Sequence, residues 1–117
     1  MPQREHHPTV VLVIGAEHDP IGPYLVACGC HVIRATSGAA AVALAQRHRP
    51  HLVIMDLDVE NLDPYEMVID LTALHETRDA PIVVVVSAPE DDEAIRPYCH
   101  GRLVRPVTEA ALAATLA

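Results

Sequence analysis

Three side chains with chemistry to offer each stand directly behind an apolar run: Asp56 after LVIM, Ser87 after IVVVV and Arg105 after Leu103 and Val104. They supply a carboxylate acceptor, a hydroxyl and a planar fork of N–H donors. A guanidinium can grip a carboxylate in bidentate fashion, which a lysine ammonium cannot. A fourth run, VVLVI, leads into Gly15 and Ala16 before the first acid, Glu17. Other chemistries find less to work with. Cys28, Cys30 and Cys99 are an odd set without zinc spacing, since CGC is not CxxC and the third lies far away, so they read as free thiols. The eight histidines are scattered, and His6 and His7, beside Pro8, read as an exposed tail. Neither GxGxxG nor GxxxxGK[ST] is present. No nucleophile and base pair suggests a hydrolase, and the chain is not expected to be an enzyme.

The elements that must position these groups can be placed along the chain. Val10 to Ile14 is a β-branched run of the kind buried on both faces of a sheet. Asp19 and Pro20 open a short helix through Cys28, which Gly29 ends. His31 to Ala35 is a second strand, Ser37 caps a helix over GAAAVALAQRHR, and Pro50 stops it. Leu52 to Met55 is a third strand that delivers Asp56. From Asp63 a further helix begins with Pro64 at its first position, with Met67, Val68, Leu71 and Leu74 at helical spacing. Ile82 to Val86, the most hydrophobic run, is the candidate central strand. Glu90 to Arg96 leaves room for only a brief helix before Pro97, Arg102 to Val104 makes a fifth strand, and Thr108 caps a final helix. Repeated βα units imply right-handed crossovers and a parallel sheet covered on both faces. The expected fold is therefore a flavodoxin-like, doubly wound (βα)5 α/β sandwich, with function gathered beyond the C-terminal strand ends.

Totals narrow the class further. The 117 residues suit one domain, expected over residues 9–117 behind a tail at 1–8. Half the residues are apolar but only three are aromatic, all Tyr, so the core must be aliphatic. A net charge of −8 argues against direct nucleic-acid binding, which wants clustered Lys and Arg. No apolar run approaches a membrane span and MPQREHHP lacks the apolar stretch of a signal peptide, so a cytoplasmic location without membrane contact is expected.

Taken in order, Gly15-Ala16-Glu17, RPHLVIMDLD with Asp56, Ser87-Ala88 and RLVRPV with Arg105-Pro106 resemble the receiver domain of bacterial two-component response regulators over nearly the whole chain. The resemblance implies that Asp56 holds the position that accepts a phosphoryl group from a sensor histidine kinase. It implies that Gly15 and Ala16 hold the positions of an acidic pair that binds Mg²⁺ with the acceptor and the carbonyl two residues beyond, here that of Asp58. Ser87 matches a residue that hydrogen-bonds the phosphoryl group. Arg105 replaces a lysine before a cis-proline, and Arg102 stands in an aromatic switch position.

The departures carry the expectation. Phosphoryl transfer leans on a metal to neutralise charge, and Mg²⁺ usually wants one or two carboxylates. Gly15 and Ala16 supply none, which leaves Glu17, Asp19 and Asp58 as weak substitutes; no cofactor is expected. The usual site crowds three carboxylates against one lysine. Removing two of them leaves Asp56 and Arg105 as a one-to-one, metal-independent ion pair that fixes the strand ends in one arrangement. Without a phosphoryl ligand, Ser87 reads better as a cap for the short fourth helix, and Arg102 as a solvated surface charge. The stretch from Ser87 to Arg105 is about a helical turn shorter than the family's. That shortening alters the face formed by the fourth helix, fifth strand and fifth helix, the family's habitual output and homodimer surface. The resemblance thus implies an atypical receiver acting through protein contacts, with a sensor histidine kinase, an output domain or another regulator as partner. Two alternatives stay open: a working phospho-acceptor using Asp56, and a cobalamin-type module faintly suggested by EHDPIG, although His18 and Gly22 stand one residue too far apart for that motif.

Overall fold

Apolar runs without polar interruption can face water on neither side; three of them, over residues 10–14, 52–55 and 82–86, form the middle of one five-stranded parallel sheet whose two edge strands carry Arg34 and Arg102. The computed structural model describes residues 8–15, 20–59 and 62–116. Its elements are β1 (Val10–Ile14), α1 (Ile21–Ala27), β2 (His31–Ala35), α2 (Gly38–His48), β3 (Leu52–Asp56), α3 (Pro64–Ala73), β4 (Ile82–Val86), β5 (Gly101–Val104) and α4 (Glu109–Leu116). Strand order is β2-β1-β3-β4-β5. The order reverses between β1 and β3, where a doubly wound sheet opens its crevice. The flavodoxin-like expectation is met.

Alternate side chains leave a strand on opposite faces, and both faces here are covered. Leu12, Ile14, Val53, Met55, Val84 and Val86 pack under α2 and α3 with Ala41, Ala45, Met67 and Leu71. Val11, Val13, Ile54, Val83 and Val85 pack under α1 and α4 with Ile21, Leu25 and Leu112. Small Ala41 and Ala45, both fully buried, let α2 approach the sheet closely. β4 is buried along its whole length but lies one strand off centre, because β3 takes the middle.

The helix starts follow their capping residues. Ser37 Oγ accepts from Ala40 N at 3.2 Å, Asp63 Oδ1 from Tyr65 N at 3.0 Å, and Thr108 Oγ1 from Ala111 N at 3.1 Å. Asp63 is extended (φ −92°, ψ 109°), as a residue before proline must be. α2 ends as expected before Pro50, with Arg49 left-handed at φ 49°. Gly29, at φ +86°, closes α1, where a side chain would be strained. Leu74 falls just past α3 as its C-cap, half-buried.

One element differs in kind. The brief helix expected over Glu90 to Arg96 is replaced by two 3-10 turns, Pro89–Asp92 and Arg96–Tyr98. Pro97 lacks the N–H that an α-helix would need. Asp91 Oδ2 meanwhile draws Ala88 N at 2.9 Å into a tight local turn. At the opposite end of the sheet His51 Nδ1 accepts from Val10 N at 2.9 Å and His100 Nδ1 from Ile82 N at 3.0 Å. Two of the scattered histidines therefore serve as strand-start acceptors. The first-helix cap expected at Asp19 and most of the tail expected at residues 1–8 fall outside the described residues.

Candidate functional site

The C-terminal edge of the sheet is set by backbone bonds that continue the ladders past the strands. Gly15 N donates to Ala35 O at 2.9 Å, Leu57 N to Val85 O at 3.0 Å and Arg105 N to Val86 O at 2.9 Å. These bonds place Gly15, Asp56, Ser87 and Arg105 at the mouths of β1, β3, β4 and β5. Neighbouring strands lie roughly 4.8 Å apart, so the mouths of β3 and β5 are separated by roughly 10 Å with β4 between. A long side chain can cross that gap.

Arg105 crosses it. Its Nη2 bonds Asp56 Oδ2, and its Nη1 bonds Asp58 Oδ2 at 2.8 Å. Ser87, on the intervening strand end, donates Oγ to the same Asp58 oxygen at 2.6 Å. Asp58 N returns a bond to Asp56 Oδ1 at 2.9 Å, folding the turn after β3 back onto the strand. Both Asp56 oxygens are therefore engaged. Asp56 is almost wholly buried, with its side chain 6% exposed, whereas that of Asp58 is 48% exposed. The buried carboxylate depends on its neighbours for compensation; the outer one is also solvated.

The arrangement corrects two expectations drawn from sequence. Arg105 does pair with Asp56, but the pair is not one-to-one: a single guanidinium forks across two carboxylates. Ser87 does not cap the following turn, a task taken by Asp91; it bonds Asp58 instead. The carboxylate of Asp58 was missed, having been weighed only as a metal ligand and for its carbonyl. The D-x-D spacing at a strand end was the available signal.

Gly15 is buried against Asp56. A Cβ added at 15 would stand 3.1 Å from Asp56 Cβ, so this small residue lets the strand ends close up. Ala16, Glu17, His18 and Asp19 lie outside the described residues. Among the described residues no group of three or more His, Cys, Asp or Glu side chains is arranged to hold a metal ion. Gly22, named for the cobalamin-type reading, is packed against the Arg34 guanidinium.

Arg102 is corrected in part. It stands exposed at the surface as expected, but it makes a specific contact: Nη1 bonds Asp92 Oδ1 at 3.2 Å, the oxygen that Arg96 Nη2 also reaches at 2.8 Å. The Asp92 side chain is only 1% exposed. The Arg96 hydrogen bond, helped by Arg102 and opposed by burial, holds its carboxyl below the ordinary carboxylate value. Burial, and then the neighbouring Asp92, push the Cys99 thiol up. Cys30 is raised mainly by burial, with a smaller push from Cys28. All three cysteines are free.

Comparison with known proteins bears on this geometry. No family model matches the chain. It is 31% identical over 85 residues to the polar-differentiation response regulator DivK of Brucella anthropi, covering 70% of this chain and 69% of DivK. It is 29% identical over 91 residues to protein PilH of Pseudomonas aeruginosa, covering 75% of each. Among solved structures, the chemotaxis response regulator CheY4 of Vibrio cholerae superposes with a TM-score of 0.80 at 22% identity, covering 95% of this chain and 97% of that one. The receiver domain of a sensor histidine kinase from Pseudomonas aeruginosa, with a magnesium ion coordinated in its active-site cleft, superposes at 0.83 and 23% identity, covering 94% and 95%.

Proposed function

The chain belongs to the response-regulator receiver family, and from that membership we propose that it is an atypical receiver, working through protein contacts with little or no Mg²⁺-dependent phosphorylation. One observation carries the reading: the Arg105 guanidinium already joins the two carboxylates at the mouth of β3. A divalent cation bound there would have to pull both carboxylates from a cationic neighbour that holds them through hydrogen bonds. The donor set fits Mg²⁺ poorly. Gly15 brings no side chain, both oxygens of Asp56 are taken, and the Asp58 carboxylate is shared between Arg105 and Ser87.

Partners in this reading are proteins: a sensor histidine kinase, an output domain or another regulator, with a homodimer through the face around β5 as a further form. The module is taken as residues 9–117 and as cytoplasmic. Among the described residues no helix is long and apolar enough to cross a membrane. Exposed apolar groups support contact-driven output. Tyr65 and Ile69 stand one helical turn apart on α3, 44% and 65% exposed. Tyr98 meets Tyr65 edge-on, with ring centroids 6.3 Å apart, and extends the patch onto the second 3-10 turn. Aromatic patches of this kind are enriched at protein interfaces.

A second reading, a working phospho-acceptor, draws on the convergence of Asp56, Ser87 and Arg105 within one hydrogen-bonded cluster. One experiment separates the two. The chain is incubated with a small phosphodonor and Mg²⁺, and its intact mass is compared with that of Asp56→Asn. The expected result is no phosphate adduct on either. A Mg²⁺-dependent adduct confined to the wild type would overturn the contact-driven reading.

A further inference from the structure

Two donors from different strands meet on a single acceptor oxygen. Ser87 Oγ lies 2.6 Å and Arg105 Nη1 2.8 Å from Asp58 Oδ2. The two donors belong to the rigid part of the molecule: Ser87 follows the fully buried β4, and Arg105 is held by its N–H on Val86 O. Asp58 belongs to the turn after β3 and is half-exposed. A carboxylate carried on a turn and inserted between two sheet-fixed donors stands in the relation of a ligand to a site. With the carboxylate gone, a hydroxyl and a guanidinium would still point at one locus, a pairing that suits an oxyanion.

We propose that the Asp58 carboxylate is a built-in occupant of an oxyanion site formed by the Ser87 hydroxyl and the Arg105 guanidinium, closing that site to tetrahedral oxyanions while the turn stays docked. The inference rests on the proposed function in one respect: the cationic group of the cleft is Arg105 and not a metal. Because Asp58 is part of the chain, it competes at the high effective concentration of any intramolecular ligand. Its charge also repels an incoming anion across the few ångströms of the cleft. The Asp58 N–H on Asp56 Oδ1 anchors the turn and keeps the carboxylate in place. The carboxylate's bonds to Ser87 and Arg105 tie the mouths of β3, β4 and β5 together, so docking and undocking of one turn would be felt at three strand ends.

Inorganic phosphate is the probe. It is titrated into wild type, Asp58→Ala, Asp58→Asn and Asp58→Ala/Ser87→Ala, following the Ser87 amide and Arg105 guanidinium resonances by NMR. If Asp58 fills the site more than nine-tenths of the time, its removal should tighten apparent phosphate binding at least about tenfold. Asp58→Asn, which keeps an acceptor but loses the charge, should fall between. Most of the gain should vanish with Ser87→Ala. Wild type and both single variants titrating alike would overturn the inference, as would a gain untouched by Ser87→Ala. Should Asp58→Ala fail to fold, Asp58→Asn against wild type decides by the same criterion. A phosphodonor adduct on the wild type counts against the proposed function; an Asp58 variant that gains nothing counts against this inference alone.

Discussion

The length of one side chain decides what the cleft can be. Arg105 reaches past β4 to Asp56 and retains a second nitrogen for Asp58, a use of the guanidinium fork that lysine's single ammonium cannot copy. Arg105→Gln removes the cation from a carboxylate that is 6% exposed. Breaking a fully buried pair costs roughly 3–5 kcal/mol and an exposed one at most about 1 kcal/mol. With Arg105 itself partly exposed, the expected loss is about 1–3 kcal/mol by urea denaturation at neutral pH. Arg105→Lys, keeping the charge on one carboxylate, should lose less than Arg105→Gln. Equal stability of wild type and Arg105→Gln would mean that the pair contributes nothing. The Asp56–Arg105 pairing was legible through the resemblance to receivers, which sets these two strand ends in one site. The third member was not, because Asp58 enters through a turn whose direction depends on its own backbone bond to Asp56.

At the scale of elements, the connection between β4 and β5 is where local sequence and structure part. The room between Pro89 and Pro97 suggested a brief helix over Glu90 to Arg96; what forms instead are two tight turns held by a buried charge, with Asp92 as the hub between Arg96 and Arg102. Only the folded chain brings Arg102 of β5 back onto Asp92, so its contact was hidden from a reading along the sequence. The depressed carboxyl of Asp92 gives this element a pH signature. A carboxyl whose folded value lies below its unfolded value stabilises the fold fully above the unfolded value, roughly 4. That contribution fades as the pH falls further, toward the folded value. Acid unfolding followed by circular dichroism should therefore steepen below about pH 4 in the wild type. Asp92→Asn should be less stable at neutral pH, where its arginines lose their partner, but should lose less on acidification. Parallel acid limbs for the two proteins would remove Asp92 from the account. The better-predicted helix starts share a cause: Ser37 and Thr108 cap their helices through bonds only three residues in reach, which sequence records directly.

Across the whole molecule, the same parallel sheet that buries Val, Leu and Ile on two faces also brings residues from four strand ends into one cleft. Periodicity and composition announce the first consequence; the second follows from the order β2-β1-β3-β4-β5, which no single element encodes. A ligand that binds only the folded chain adds stability to the molecule as a whole, about 2.7 kcal/mol at a hundredfold excess over its dissociation constant. For a domain of this size each kcal/mol moves the melting temperature by several degrees, on the order of 2–8 °C. A real Mg²⁺ site would therefore announce itself as a saturable rise in Tm across the millimolar range. With Arg105 occupying the carboxylates, the wild type should show no such rise. Restoring acids through Gly15→Asp/Ala16→Asp and freeing Asp56 through Arg105→Lys should create one. The rebuilt chain should also be less stable without metal, because a side chain at 15 crowds Asp56 and adds negative charge beside a nearly buried carboxylate. Wild type that is stabilised by Mg²⁺ as strongly as the rebuilt chain would mean that the guanidinium does not stand in for the ion, and the cleft would then be that of an ordinary receiver.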